Sequence, residues 1–300
     1  MTSVPGLTSV IVVACDSGAL LSECVASVLA GSTALEVIVS DNASRDGSIE
    51  AVESRRVGDA RLRVVRNDAN LGFAAGCNRA ATHARGDMLL FLNPDCRVDD
   101  DTIARLRAHA DARTGVLGAT VVGVDGTPEP ASRRRDPLLL RALMTATGLA
   151  RWSSRWPALR GTNLAAAGKV AVVEDVEGVS GALMLVPRAA FDRIGGFDEG
   201  YFLHFEDLDL CRRLRDAGLR VACAHDVRAM HVKGTSSHAR PFFVAFHKHR
   251  GMWRWFTKFD PAARNPLLRV LVWCGVWLHY AAMLPRYAWL RVRARLSGNG

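Results

Sequence analysis

The sequence predicts an α/β fold: a mixed, mainly parallel sheet flanked by helices, followed by a helical tail. Three observations carry this prediction. Short β-branched runs alternate with helix-like stretches over the first hundred residues, polar clusters stand where those runs end, and the composition turns to Trp, Arg and aliphatic residues after about His247. Such alternation is what a parallel sheet requires, because each strand must be joined to its neighbour by a crossover.

The elements follow in chain order. Ser9 to Ala14 reads as a buried strand and Ala19 to Leu29 as a helix. The run Val10 to Cys15 is also similar to a lipoprotein cleavage region, but no Lys or Arg precedes it and it is too short for a signal core. Glu36 to Ser40 and Leu62 to Arg66 read as strands on either side of a helix from Ser48 to Arg55. A helix around Ala74 to His83 ends at Gly86, and Met88 to Leu92 is a strand broken by Asn93-Pro94-Asp95. Gly115 to Val124 is strand-like; a Pro- and Arg-rich stretch, Pro128 to Pro137, then leads into Leu138 to Ala150. Between Arg151 and Lys169 the reading is long loops and a helix. Val176 to Pro187 reads as one core strand, and Arg188 to Ile194 as a short helix stopped by Gly195-Gly196. Asp207 to Ala217 is helical, with Leu208, Cys211 and Leu214 on one face and Gly218 as terminator, and Arg220 to Ala224 is the last strand. Residues 1–240 are thus expected to form the catalytic domain and 241–300 a helical tail.

With 300 residues, 49% of them apolar, the chain can bury one large core or two modest ones. A formal charge of +9 favours an anionic partner: nucleic acid, a lipid surface or a phosphorylated ligand. Trp253, Trp255, Trp273, Trp277 and Trp289 are interleaved with Arg250, Arg254, Arg286, Arg291, Arg293 and Arg295, which favours lipid over nucleic acid. Leu267 to Leu290 is largely apolar but interrupted by Arg269, His279, Pro285 and Arg286, so it reads as an amphipathic helix in the membrane interface rather than a spanning one. A homo-oligomer interface, or a helix packed on the catalytic domain, is the alternative. The seven cysteines are scattered and odd in number, which indicates neither a zinc knuckle nor a disulfide framework but reduced, mostly buried thiols in a cytosolic setting.

In parallel sheets, ligands collect at the carboxyl ends of strands. Ser40-Asp41-Asn42 stands at one such end and runs into Ala43-Ser44-Arg45-Asp46-Gly47, whose carboxylates can bond a pyrimidine imide and a ribose hydroxyl, or simply cap the next helix. Asn93-Pro94-Asp95 stands at another; its one carboxylate suits a divalent ion on a diphosphate, or belongs to a turn. His231 can add a nitrogen ligand and Lys233 can pair with phosphate. Glu206 and Asp207 open a helix, and one carboxylate there can take the proton of an acceptor hydroxyl; spacing does not choose between them. A dinucleotide fold is excluded because Cys15-Asp16-Ser17-Gly18, not G-x-G-x-x-G, follows the first strand. Glycoside hydrolysis would leave the nucleotide-pocket elements unexplained.

Six segments in this order resemble the family-2 glycosyltransferases, specifically the rhamnosyltransferase-like branch of bacterial surface-polysaccharide synthesis. They are Ser9-Val10-Ile11-Val12-Val13, Val39 to Ser48, Asn70-Leu71-Gly72-Phe73 through Arg79, Leu92-Asn93-Pro94-Asp95, Gly195-Gly196-Phe197-Asp198-Glu199 and Glu206-Asp207-Leu208-Asp209-Leu210, all within Thr8 to Ser237. The resemblance implies a GT-A-like fold and inverting transfer of a sugar from a nucleotide-diphosphate donor. That sugar would be L-rhamnose from dTDP-rhamnose, with a UDP-sugar as the alternative donor. It also implies a saccharide acceptor; the composition of the tail, which lies outside the shared segments, makes that acceptor polyprenyl-diphosphate-linked and places the chain on the cytoplasmic face of the cell membrane. Asp41 would contact the base; Asn42, Ser44, Asp46, Asn70, Gly72 and Asn78 would form the donor pocket, with Lys233 on the diphosphate. Asp95 stands at the position that holds Mg2+ or Mn2+, with His231 as a further metal or diphosphate contact. Asp207 would be the general base, supported by Glu206. The family's metal motif has two acids, and here Asn93 takes the first place. A degenerate, non-catalytic transferase serving as a scaffold is the competing reading, against which the retention of Asp41, Asp95 and Asp207 speaks.

Overall fold

In the computed structural model, which describes residues 3–31, 33–162, 164, 171–232 and 240–296, the first part of the chain winds a parallel sheet. Strand β1 (Val4–Ala14) pairs in parallel with β2 (Leu35–Asp41) and β4 (Gly86–Leu92), and β2 pairs with β3 (Leu62–Arg66). All seven residues of β2 are buried, as expected of a strand covered on both faces. The cover consists of α1 (Gly18–Ala30) and α2 (Ser48–Arg55) on one face and α3 (Phe73–Ala81) on the other. Alternate residues of β1 sort accordingly: Val10 and Val12 pack with Leu21 and Val25 of α1, while Ile11 and Val13 pack with Ala74 and Cys77 of α3.

Beyond β5 (Cys96–Val98) and α4 (Thr102–Ala108), the sheet becomes mixed. Strand β6 (Thr114–Val122) leads to the short β7 (Arg133–Arg134), α5 (Leu139–Ala146), β8 (Val173–Asp175) and β9 (Gly178–Val179). Strand β10 (Leu183–Pro187) then inserts antiparallel between β4 and β6, and β11 (Arg220–His231) runs parallel to β6. The path across the sheet is β3-β2-β1-β4-β10-β6-β11-β5, with β8 on β11 and a separate β7–β9 ribbon. Helices α6 (Arg188–Arg193) and α7 (Glu206–Asp216) follow β10.

Two strands differ from their sequence-based bounds. The expected single strand Val176–Pro187 is broken at Ser180–Ala182, because the Gly181 N–H turns to the Asp207 carboxylate instead of a neighbouring strand. The last strand runs on past Ala224 to His231 through an irregularity between Ala224 and Arg228, which carries it alongside β5. Where a helix was expected between Arg151 and Lys169, the described residues hold only 3-10 turns at Leu149–Trp152 and Pro157–Leu159.

The tail divides into two helices of different character. Helix α8 (Pro241–Phe259) buries Ala245, His249, Gly251, Trp255 and Phe256. Arg254 and Lys258 both bond Asp198, and Lys258 also reaches Asp209, which has no exposed surface. Trp255 therefore does not face a membrane: it is 1% exposed and its ring lies 4.6 Å from Phe259 and 6.5 Å from Phe205. Helix α9 (Pro266–Leu296) is the opposite case, with Leu267, Val270, Leu271, Trp273 and Leu278 exposed. Its interruptions do not divide it, since Pro285 lies inside the helix. The 24 residues Pro266–Trp289, of mean hydropathy 1.6, are long and apolar enough to cross a membrane.

Candidate active site

A cleft of about 640 Å³ opens where β1, β2, β4 and β11 end. On one side, Asn42, Asn70 and Gly72 line it through a chain of amides: Asn67 Nδ2 donates to Asn42 Oδ1 at 2.8 Å, and Asn42 Nδ2 donates to Gly72 O at 3.0 Å and Asn70 Oδ1 at 3.3 Å. Gly72 has φ +83°, and a Cβ there would stand 2.5 Å from Phe202 O, so no other residue fits. The next residue, Phe73, donates its N–H to that same carbonyl at 2.8 Å.

The remaining residues expected on the nucleotide side have other partners. Asp41, 6% exposed, accepts the Ser44 N–H at 2.9 Å, and Ser44 Oγ accepts the Asp16 N–H, so both hold the turn behind the cleft. Asp46 accepts from Gly18 N and from both the N–H and hydroxyl of Ser48, which is the capping role rather than a cleft position. Asn78 is corrected outright: its amide donates to Phe197 O and Glu199 and accepts from Phe197 N, tying α3 to the Gly195–Glu199 turn rather than to the cleft. Lys233 lies outside the described residues.

Across the cleft, the β5–β11 register sets His231 opposite Cys96 and hence beside Asp95. His231 Nε2 lies 3.2 Å from Asp95 Oδ1, and Nδ1 lies 3.2 Å from Glu129 Oε1. Burial pulls the ring's pKa down, but its bonds to Asp95 and Glu129 outweigh this and hold it at about 9. The imidazolium thus supplies the positive charge between two carboxylates. The ligand atoms of Asp95, Cys96 and His231 fall within 4.8 Å of one another. Burial keeps the Cys96 thiol protonated, and it donates to Ala182 O. An ion on Asp95 would have to displace the Nε2 proton; the donors would then be one carboxylate oxygen and one imidazole nitrogen, a pair that suits Mn2+ better than Mg2+, with Asn93 in the preceding acid's place. Glu129 was not foreseen, because it sits in a Pro-rich stretch without periodicity.

The third group sits at the amino end of α7. His204 and Phe205 precede it with φ +67° and +74°, a left-handed conformation that non-glycine residues hold only when their surroundings enforce it. Helix α8 enforces it here: a Cβ on Gly251 would stand 3.0 Å from the Phe205 ring and 3.1 Å from His204 O, so the two backbones nearly touch. Asp207 Oδ2 accepts the Gly181 N–H at 3.0 Å and is ion-paired with Arg134, while Oδ1 accepts the Leu208 N–H at 2.8 Å. Glu206 is buried beside it with Oε2 unbonded; desolvation and the Asp207 charge push its pKa well above the usual carboxylate range. Burial lowers His204, also in the cleft wall, to about 4, so it is neutral at physiological pH. Arg134 was likewise unforeseen; it belongs to the Arg133-Arg134-Arg135 run of the Pro- and Arg-rich stretch, to which the sequence assigns no element.

The model of the family described as Glycosyl transferase family 2 matches residues 9–171, more than half of the chain. The chain belongs to that family. Over 289 residues, 86% of this chain and 92% of the relative, the transferase is 29% identical to an N-acetylglucosaminyl-diphospho-decaprenol L-rhamnosyltransferase of Mycobacterium tuberculosis. It is 30% identical to rhamnosyltransferase WbbL of Escherichia coli over 172 residues, 55% of this chain and 60% of that one. Among solved structures, mannosyltransferase PcManGT from Pyrobaculum calidifontis, determined with GDP-Man and Mn2+, superposes with a TM-score of 0.58 at 20% identity over 96% of this chain and 75% of that one. The fold is accordingly GT-A-like, and the enzyme is a rhamnosyltransferase-like member of family 2.

Proposed function

We propose that this transferase moves L-rhamnose from dTDP-rhamnose, with inversion, to a saccharide carried on a polyprenyl diphosphate at the cytoplasmic face of the membrane. The observation that carries the reading is the placement of Asp207 and Glu206 in the same cleft as the Asp95–His231 pair and the Asn42–Asn70–Gly72 wall. The acceptor class is supported by the relative named for a diphospho-decaprenol substrate and by the apolar helix α9.

Chemically, the acceptor hydroxyl gives its proton to Asp207 as its oxygen bonds the anomeric carbon from the face opposite the leaving group. The bond from that carbon to the diphosphate oxygen breaks, and its electron pair leaves with the nucleoside diphosphate. Arg134 and the Gly181 N–H hold the Asp207 carboxylate in one orientation for this transfer. Glu206, protonated, is a hydrogen-bond donor beside it. Asp95, with His231 once its Nε2 proton is displaced, would hold a divalent ion, which would supply positive charge to the departing diphosphate. Asn42, Asn70 and Gly72 face the nucleotide, while Asp41, Ser44 and Asp46 keep their turn in shape. The catalytic body comprises residues 1–240 together with α8, and α9 is the membrane-associating part of the tail.

Calorimetric titration with dTDP and UDP, with and without Mg2+ or Mn2+, tests the proposal. Metal-assisted binding of dTDP that Asp95→Ala weakens and Asp207→Asn leaves intact is the expected result. Preference for UDP would replace the donor, and binding of neither nucleotide would favour the non-catalytic scaffold.

A further inference from the structure

On the side of α8, the cleft is lined by Phe202 and Phe243. From there ring contacts run without a break onto α9. Phe202 and Phe243 meet edge to face at 5.4 Å and both pack on His247, at 4.4 and 4.5 Å. His247 meets Phe246 at 5.4 Å, and Phe246 meets Trp277 and Tyr280 of α9 at 5.7 and 6.2 Å. Phe243 and Phe246 are each 39% exposed, so the track is open along its length rather than sealed in a core. A contiguous exposed apolar surface of this kind marks a binding site.

At the cleft end, Arg240 lines the wall, where it bonds Asp16. Farther out the contacts are aromatic, and they end on a helix that is apolar enough for a bilayer and only 6% buried over its apolar window. Carboxylates for the chemistry, then the Arg240 cation, then rings, then an apolar helix is an order that suits an amphiphile whose diphosphate separates its sugar from its hydrocarbon. We infer that this track binds the proximal hydrocarbon chain of the lipid-linked acceptor and leads it from the bilayer to the cleft, with Arg240 at its diphosphate. The inference rests on the lipid-linked acceptor proposed above and adds where the lipid lies.

The test uses the full chain in phospholipid nanodiscs and a benzophenone-bearing farnesyl diphosphate as probe, with dTDP binding measured separately by calorimetry. Illumination is expected to label peptides within residues 241–259 and 273–280. The double variant Phe246→Ser with Trp277→Ser, both outside the cleft, should reduce labelling by about tenfold, as expected for loss of well-packed aromatic contacts. Phe246→Leu, which keeps the surface apolar, should retain most of it. Circular dichroism melting checks that each variant is folded, and a double variant that does not fold is replaced by Phe246→Ser alone, whose side chain is partly exposed. Labelling confined to other peptides, or unchanged in the folded variant, overturns the track. Absence of dTDP binding with labelling intact would instead overturn the donor reading and leave the track standing.

Discussion

Arg134 and Asp207 are ion-paired in the wall of the cleft, and the carboxylate oxygen that Arg134 engages also accepts the Gly181 N–H at 3.0 Å. Asp207 is thereby held in a single orientation by groups from β7 and the β9–β10 break. Asp207→Asn should lower kcat by about 10²–10⁴-fold, the contribution of a positioned base, while leaving dTDP affinity unchanged. Arg134→Met should lower kcat as well and reduce stability by about 1–3 kcal/mol, because a buried carboxylate loses its partner. Steady-state kinetics and urea unfolding measure both, and an Asp207→Asn enzyme with full kcat would remove Asp207 from the reaction.

Glu206 yields a prediction of opposite sign to the usual carboxylate. Burial and the Asp207 charge raise its folded pKa above the unfolded one, so its contribution is complete below the ordinary carboxylate range and is lost as pH rises through the raised value. Wild-type stability should fall as pH rises from the ordinary carboxylate range to about 8. Glu206→Gln should flatten that fall when urea midpoints at pH 6 and pH 9 are compared.

At the acid end the controlling group is Asp198. Burial works against its ionised form, but Lys258 and Arg254 outweigh it and hold the carboxyl at about 2, below its ordinary 3.8. A depressed folded value contributes stability above the unfolded pKa that disappears as pH falls toward the folded one. Trp255 fluorescence should therefore report loosening of α8 as pH drops from about 4 toward 2. Asp198→Asn should weaken the packing at neutral pH and remove the acid-dependent step.

Chelation addresses the Asp95–His231 pair. Stripping divalent ions with EDTA should weaken dTDP binding by about tenfold or more, and His231→Gln should impair the rescue by Mn2+ to a similar degree. Equal dTDP affinity with and without metal would remove the ion from nucleotide binding.

Much of this architecture is legible because local pattern and tertiary environment agree. The helix Ser48–Arg55 and the strand Leu62–Arg66 have the bounds that the sequence indicates. The outer half of β11 carried a signal that the reading did not use: Val227 and Ala229, each 1% exposed, alternate with polar Asp226 and Arg228, the period of a half-buried strand. Without that half, His231 has no stated reason to meet Asp95. Glu129 and Arg134 had no such signal, since irregular segments carry neither period and their positions depend on distant contacts with His231 and Asp207. Asn78 failed for another reason: it belongs to a recognised motif, but it stands on the face of α3 that meets the Gly195–Glu199 turn. Composition alone could not separate Trp255, which is buried, from Trp273, which is 49% exposed.

The near-contact of Gly251 with His204 and Phe205 bears on any shortened version of the enzyme. A chain cut at residue 240 to shed its greasy end would also discard the wedge that keeps two left-handed residues wound ahead of Glu206 and Asp207. Relaxation of those two torsions would rotate both carboxylates out of register with Arg134 and Gly181. A version that ends after Phe259, in the linker between the two tail helices, keeps that wedge in place but gives up the rings of Trp277 and Tyr280.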